Sequence, residues 1–233
     1  MNVAEKLTAI AENQEKVYAA GSQAEYDRLW DSLQKNGNRT NYQGAFGSVW
    51  TDESFKPKYD MHPISASTMF ENSEIVDLKG ALEQAGVVLD LSTVTYGRFT
   101  QIFQQSSIQR VGVIDTTGSK TYKISYLFMG AGKLRSVDAW VMTEDGTQQF
   151  DENNTFQGCA ALEEIRIGGT LGCSMSFQPC ENLSMDSVQS VIDHLKDLTG
   201  QTTQRLTFHR NVGAKLTEEQ KTAIAAKNWT LVY

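Results

Sequence analysis

Along this 233-residue chain the same apolar pattern begins again several times. Phe156 is followed by Leu162, Ile165 and Ile167; Phe128 by Leu134, Val137 and Ala139; Phe103 by Ile108, Val111 and Val113. Counted from the second anchor, all three copies are apolar at +3 and +5. A degenerate copy stands at Phe70, Ile75 and Leu78, and another starts at Phe177 and Leu183 before a helical pattern takes over. Two apolar residues at i and i+2 after a short irregular segment describe a brief strand with one buried face. Strands are therefore expected at 88–91, 111–114, 137–141, 165–167 and 205–209. Turn signals follow several of them: DTTG at 115–118, TEDG at 143–146 and GG at 168–169. The segments between, such as RFTQIFQQSS and YKISYLFMGAGK, are too apolar for free loops and are expected to return along the opposite side.

One such unit cannot bury its own apolar edge, so it must stack on a neighbour of the same shape. The pattern predicts an α/β fold: a short solenoid of parallel strands with helical or irregular returns, its Phe side chains piled in an internal column. The ends of a stack need caps. Ser184 can N-cap a helix whose stripe is Val188, Val191, Ile192, Leu195 and Leu198, with Gly200 as the stop. A strand around Leu206 and Phe208 follows. A capping-box pattern at Thr217 and Gln220 then opens a helix to about Asn228, and WTLVY closes a C-terminal α/β cap.

Residues 1–36 read as helical. Val3, Leu7, Ile10, Gln14 and Val17 have the spacing of a short coiled coil with a polar residue in the seam. This helix either makes a homo-oligomer or packs as a lone amphipathic helix on its own domain. Ser22 with Glu25 marks a second start, and the stripe Tyr26, Leu29, Trp30 and Leu33 runs to a stop at Asn36 and Gly37. Residues 37–64 are rich in Gly, Asn and aromatics. They read as an ordered connector that buries Phe46, Trp50, Phe55 and Tyr59, and residues 65–233 form the repeat domain with its cap.

Charge narrows the partners. With 21 Lys and Arg against 28 Asp and Glu, a formal charge of −7 and no basic cluster, nucleic acid is not an expected partner. No apolar run approaches the roughly 18 residues of a membrane span, and MNVAEKLTAIAENQEK is charged where a signal peptide has an apolar centre. The expectation is synthesis in the cytoplasm without a signal peptide or a membrane span. Cys159, Cys173 and Cys180 contain no CxxC pair and read as small buried thiols.

Catalytic ingredients are sparse. His62, His194 and His209 have no metal-ligand spacing, and GAFGSVW lacks the strand-then-helix context of a phosphate loop. DENN at 151–154 reads as a solvated loop rather than a calcium site, because EF-hand spacing is missing. Glu163 and Glu164, adjacent on a strand, point to opposite faces. No catalytic residue, metal or cofactor is assigned. Binding has more to stand on. If Val137, Ala139 and Val141 point inward, Asp138 and Trp140 point outward, beside Gly112, Ile114, Arg166, Thr207 and His209 of neighbouring strands. The candidate ligand set is Trp140, Asp138, Arg166, Thr207 and His209, with Trp140 as a platform for a sugar ring or a partner side chain. The other reading has Trp140 covering core, and a register shift of one exchanges the two sets.

FQGCAALEEIRI resembles the F-x-x-C-x-x-L-x-x-I core of BspA-like leucine-rich repeats. The order VAEKLTAIAENQEKVYAAG, FKPKYDMHP, degenerate repeats, LTEEQKTAIAAKNWTLV resembles leucine-rich-repeat proteins encoded near tail genes in phages and prophages of Gram-positive gut bacteria. Only the copy at 156 reads as complete; Ser106 and Ala131 stand where the motif has Cys. The resemblance implies a non-enzymatic adhesion or recognition solenoid, displayed on a phage-tail virion and binding a host-surface glycan or protein. The alternative is a cytosolic or bacterial-surface protein-interaction module that joins no particle. The family has no agreed catalytic residues, so none is carried over.

Overall fold

A computed structural model describes residues 24, 27–32, 41–48, 50–94, 99–119 and 123–233. The proposed coiled-coil positions Val3, Leu7, Ile10, Gln14 and Val17 lie outside the described residues, and 27–32 are helical. The architecture is mixed α/β with two parallel three-stranded sheets. The first holds β1 (Arg110–Asp115), β2 (Ser136–Val141) and β3 (Glu164–Gly168); the second holds β4 (Met175–Phe177), β5 (Gln204–Phe208) and β6 (Trp229–Val232). In both, strands consecutive in the chain are neighbours in space. Helices α1 (Leu78–Ala85), α2 (Met185–Asp193), α3 (Arg210–Gly213) and α4 (Glu218–Ala226) complete the described elements, with one 3₁₀ turn at Leu91–Thr93. Single parallel bridges, Asn41↔Ser65, Thr51↔Glu74 and Met61↔Leu89, carry the same neighbour relation toward the N-terminus.

The core is organised around rings. Phe46, Phe70, Phe103, Phe128, Phe156, Phe177 and Phe208 stack in chain order, with successive centroids 4.8 to 5.7 Å apart. Trp30 extends the pile, stacked on Phe46 at 5.7 Å. Such pairs add about 0.5–1.5 kcal/mol beyond burial of their area. Phe46, expected in a connector, is thus part of the column, and so is the segment around it.

The backbone repeats with the rings. The amides of Phe46, Phe70, Phe103 and Phe128 donate to the carbonyls of Met69, Ile102, Leu127 and Thr155, each the residue before the next ring, at 2.8 to 3.0 Å. The carbonyls of Phe70, Phe103, Phe128, Phe156 and Phe177 accept from the amides three residues on, those of Ser73, Ser106, Ala131, Cys159 and Cys180, at 2.9 to 3.3 Å. These five side chains are buried, so the position selects small residues. Cys180 makes Phe177–Cys180–Leu183 a second F-x-x-C-x-x-L, although Asp186 stands where the complete motif has Ile. Asn72, Gln105, Gly130 and Gly158, each two residues after its ring, share a positive φ of 54° to 82°. That recurrence explains the glycines of the later copies.

The strands depart from the expected alternation. Ile165 and Ile167 of β3 are both buried, as an i, i+2 pattern requires. In β1 and β2, however, Val113 is 58% exposed and Ala139 is half-buried, while Ile114 and Trp140 are fully buried. Val111 and Val137 therefore pair inward with residues three places on. The β2–β3 register passes from Val137↔Ile165 to Trp140↔Ile167, so β2 uses three residues where β3 uses two. β1 matches β2, with Val113 opposite Ala139 and Ile114 opposite Trp140. A bulge of this kind reverses which side chains face the core beyond it. The expected strand at 88–91 is reduced to a bridge at Leu89 and the 3₁₀ turn.

At the C-terminal end, Ser184 accepts the amide of Ser187 and starts α2, which stops at Asp193; Leu195 and Leu198 are buried beyond it. Thr217 and Gln220 form the reciprocal capping box of α4, at 3.0 and 3.2 Å. Among the described residues no helix is long and apolar enough to cross a membrane.

Candidate functional site

The outward face of the first sheet lies between two helices. Asp77 caps α1 by accepting the amide of Gly80 at 2.8 Å and pairs with Arg110 at 2.7 Å, which fixes the helix start against the start of β1. On the far side, the amides of Ile165 and Ile167 donate to the hydroxyls of Ser187 and Ser190, both at 2.9 Å. Serine oxygens on α2 stand where a fourth strand would offer carbonyls. They close the β3 edge. The helices become walls and the strands a floor.

This trough has two halves. One, about 460 Å³, is polar and lined by Ser136, Asp138, Glu164, Arg166 and Asp186. The other, about 270 Å³, lies between α1 and β1 and is lined by Leu82, Val87, Val88 and Val113. Val88 and Val113 are each 58% exposed, an uncommon exposure for neighbouring large aliphatics. Lys79 and Asp138 line both halves and form a 2.7 Å ion pair across the boundary. The Asp138 carboxylate, through its hydrogen bond and its charge, raises the Lys79 ammonium above its usual value. Lys79 also lies 3.7 Å from Glu83 one turn on, and its stem crosses Gly112, where a Cβ would meet it at 3.8 Å.

The candidate ligand set divides. Asp138 and Arg166 do share the trough. Trp140 does not, and its outward assignment is corrected: it is fully buried, its Nε1 donates to Thr116 Oγ1 at 3.1 Å, and its ring meets Phe128, Phe150 and Phe156 edge-on. The bulge is the reason, and it takes Ile114 inward as well. Thr207 is half-buried and lines a separate hollow beside Glu152 and Arg205. His209 N-caps α3, its Nδ1 accepting the Asn211 amide at 3.2 Å, which is a structural task. Lys79, Glu83, Val88, Val113 and Asp186 were not expected there. Their signal was present: Asp77 before LKGALEQA, with Gly86 after it in the left-handed conformation, is a capped helix of its own.

Other chemistry is limited by surroundings. Among the described residues no group of three or more His, Cys, Asp or Glu side chains could hold a metal ion. The three thiols are buried and free; burial pushes Cys159 up to about 12 and Cys173 to about 11, and raises Cys180 well above the ordinary range. A neutral, inaccessible thiol is a poor nucleophile. What the trough offers is a fixed pattern of charge and hydrogen-bonding groups beside an apolar hollow. No protein-family model matches this chain, nor does any curated protein or solved structure.

Proposed function

We propose that the chain is a short leucine-rich-repeat solenoid of the BspA-like kind. In this reading it is a non-enzymatic recognition or structural protein of a phage tail that presents its trough to a host-surface protein or glycan. One observation carries the reading: ring after ring, the same turn recurs with the same amide-to-carbonyl bond, the same small buried residue and the same parallel neighbour. Units that rest on one another in sequence make a stiff scaffold, and a hollow on its face is preformed. The heptad positions Val3, Leu7, Ile10, Gln14 and Val17 then serve as the mount by self-association.

Two measurements test it. Mass spectrometry of particles purified from an induced host should find the protein as a stoichiometric component; its absence there would leave the interaction-module alternative. Light scattering on the full chain with Leu7→Asp and Ile10→Asp should give a smaller oligomer than the unaltered chain, and equal masses would remove the mount.

A further inference from the structure

Resting on the trough as the recognition site, we infer that its occupant is a protein segment, specifically an extended peptide with one aliphatic or aromatic anchor flanked by basic residues. The anchor belongs in the hollow between α1 and β1. Leu82, Val87, Val88 and Val113 line it, and the exposure of both Val88 and Val113 leaves apolar surface that a side chain of that size would cover. The basic flanks follow from charge. Among the described residues, four carboxylates, Glu83, Asp138, Glu164 and Asp186, stand around the two halves against two cations, Lys79 and Arg166. Lys79 is taken up by Asp138 and Arg166 offsets one of Glu164 and Asp186, so the excess is one carboxylate in the polar half and one at the 65% exposed Glu83 of the apolar half. A partner with positive charge on both sides of its anchor meets carboxylates on both sides of the hollow.

The same residues disfavour a sugar. Saccharide recognition leans on an exposed aromatic face, and among the described residues the two halves are lined by a single aromatic, Phe103, which is buried in the ring column. Trp140, the ring that would have served, lies inside. An aliphatic hollow with an acidic rim suits a peptide side chain and its lysine or arginine neighbours.

The test uses the full chain on an array of immobilised hexapeptides whose central residue is Leu, Phe, Ala or Ser and whose flanks are Lys, Ser or Glu in all combinations, with a glycan array alongside. Binding should be confined to Leu- or Phe-centred, Lys-flanked members. Val113→Asp, at an exposed position that leaves the core intact, should abolish it. Glu83→Lys should weaken it by about five- to tenfold, as loss and reversal of a rim charge would. Signal indifferent to flank charge, or unchanged by Val113→Asp, would overturn the peptide assignment. Glycan binding lost on Arg166→Ala, with no peptide signal, would also overturn it while leaving the trough as a recognition site. Silence on both arrays would sink the peptide and the recognition reading together.

Discussion

Trp140 shows how much one residue's direction decides. Its indole fills space between three other rings and hands its only proton to Thr116 Oγ1, which itself donates to the Val141 carbonyl at 2.9 Å. Trp140→Ala should therefore act on stability, lowering it by about 3–5 kcal/mol as other buried aromatic truncations do, with no direct effect on trough binding. Trp140→Phe keeps most of the packing but leaves Thr116 without the indole donor, and should cost about 1–2 kcal/mol. Urea unfolding of both variants checks the order; a Trp140→Ala chain as stable as the parent would return the ring to the surface. The thiols give a second test at this scale. With Cys159 and Cys173 pushed up to about 12 and 11, and Cys180 raised as well, none forms thiolate near neutrality. Iodoacetamide at pH 8 should label none of the three in the folded chain and all three in urea, read by intact mass; rapid native labelling would contradict the burial.

Among the elements, the turns recur as regularly as the rings. Asp90, Asp115, Asp145 and Asp197 each accept the backbone amide two residues on, at 2.8 to 3.1 Å, in a D-x-S/T sequence that the apolar pattern does not reveal. The Thr143 hydroxyl and then the Thr147 amide and hydroxyl hold the Asp145 carboxyl below its usual value; the Thr199 hydroxyl and amide do the same for Asp197. For Asp90, burial pushes upward but is outweighed by the Ser92 hydroxyl, His62 and the Ser92 amide. Lowered folded values mean stability that is fully present above the ordinary carboxylate pKa of about 4 and is lost as pH falls through the depressed values. The urea midpoint should drop as pH falls below about 4, and Asp197→Asn should make that drop shallower; identical slopes would show that the turn carboxylates carry none of it. The hydroxyls that close β3 are as specific: Ser187→Ala strands the buried Ile165 amide and should cost about 1–3 kcal/mol in the same assay. Spacing made the rings from Phe70 to Phe177, the N-caps of α2 and α4 and the β3 alternation legible in advance, but not Trp30, Phe46 or Phe208 as members of the column. The bulge was not, because Val113 and Ala139 are apolar and satisfy an i+2 pattern as well as Ile114 and Trp140 satisfy i+3. Of the five candidate ligand residues, Trp140 followed that error, whereas Thr207 and His209 belong to the second sheet and its following helix. The apolar half of the trough escaped notice for a different reason: the degenerate copy at Phe70, Ile75 and Leu78 predicts no helix, and α1 starts at its last position.

For the whole molecule, the proposed stack of units predicts that order passes from neighbour to neighbour. The Phe128 ring stacks on Phe103 at 5.4 Å and on Phe156 at 5.5 Å, and the backbone links the same turns, the Phe103 amide donating to the Leu127 carbonyl and the Phe128 amide to the Thr155 carbonyl. Phe128→Ala removes the two stacks together and opens a void of one ring in the middle of the column. A globule with one cooperative core would respond to such a void everywhere at once. A stack held by nearest-neighbour terms should instead come apart at the damaged joint, with each side keeping its own contacts. The C-terminal side has the stronger independent supports: a three-stranded sheet, α2 and α4 with their caps, and Phe156, Phe177 and Phe208 still stacked at 4.8 and 5.7 Å. Hydrogen exchange on the Phe128→Ala chain should therefore show protection falling across 41–119 while β4, β5 and β6 keep theirs. Protection lost in equal proportion along the chain would mean that the rings share a core without forming a series, and the stacked-unit reading of the molecule would fall with it.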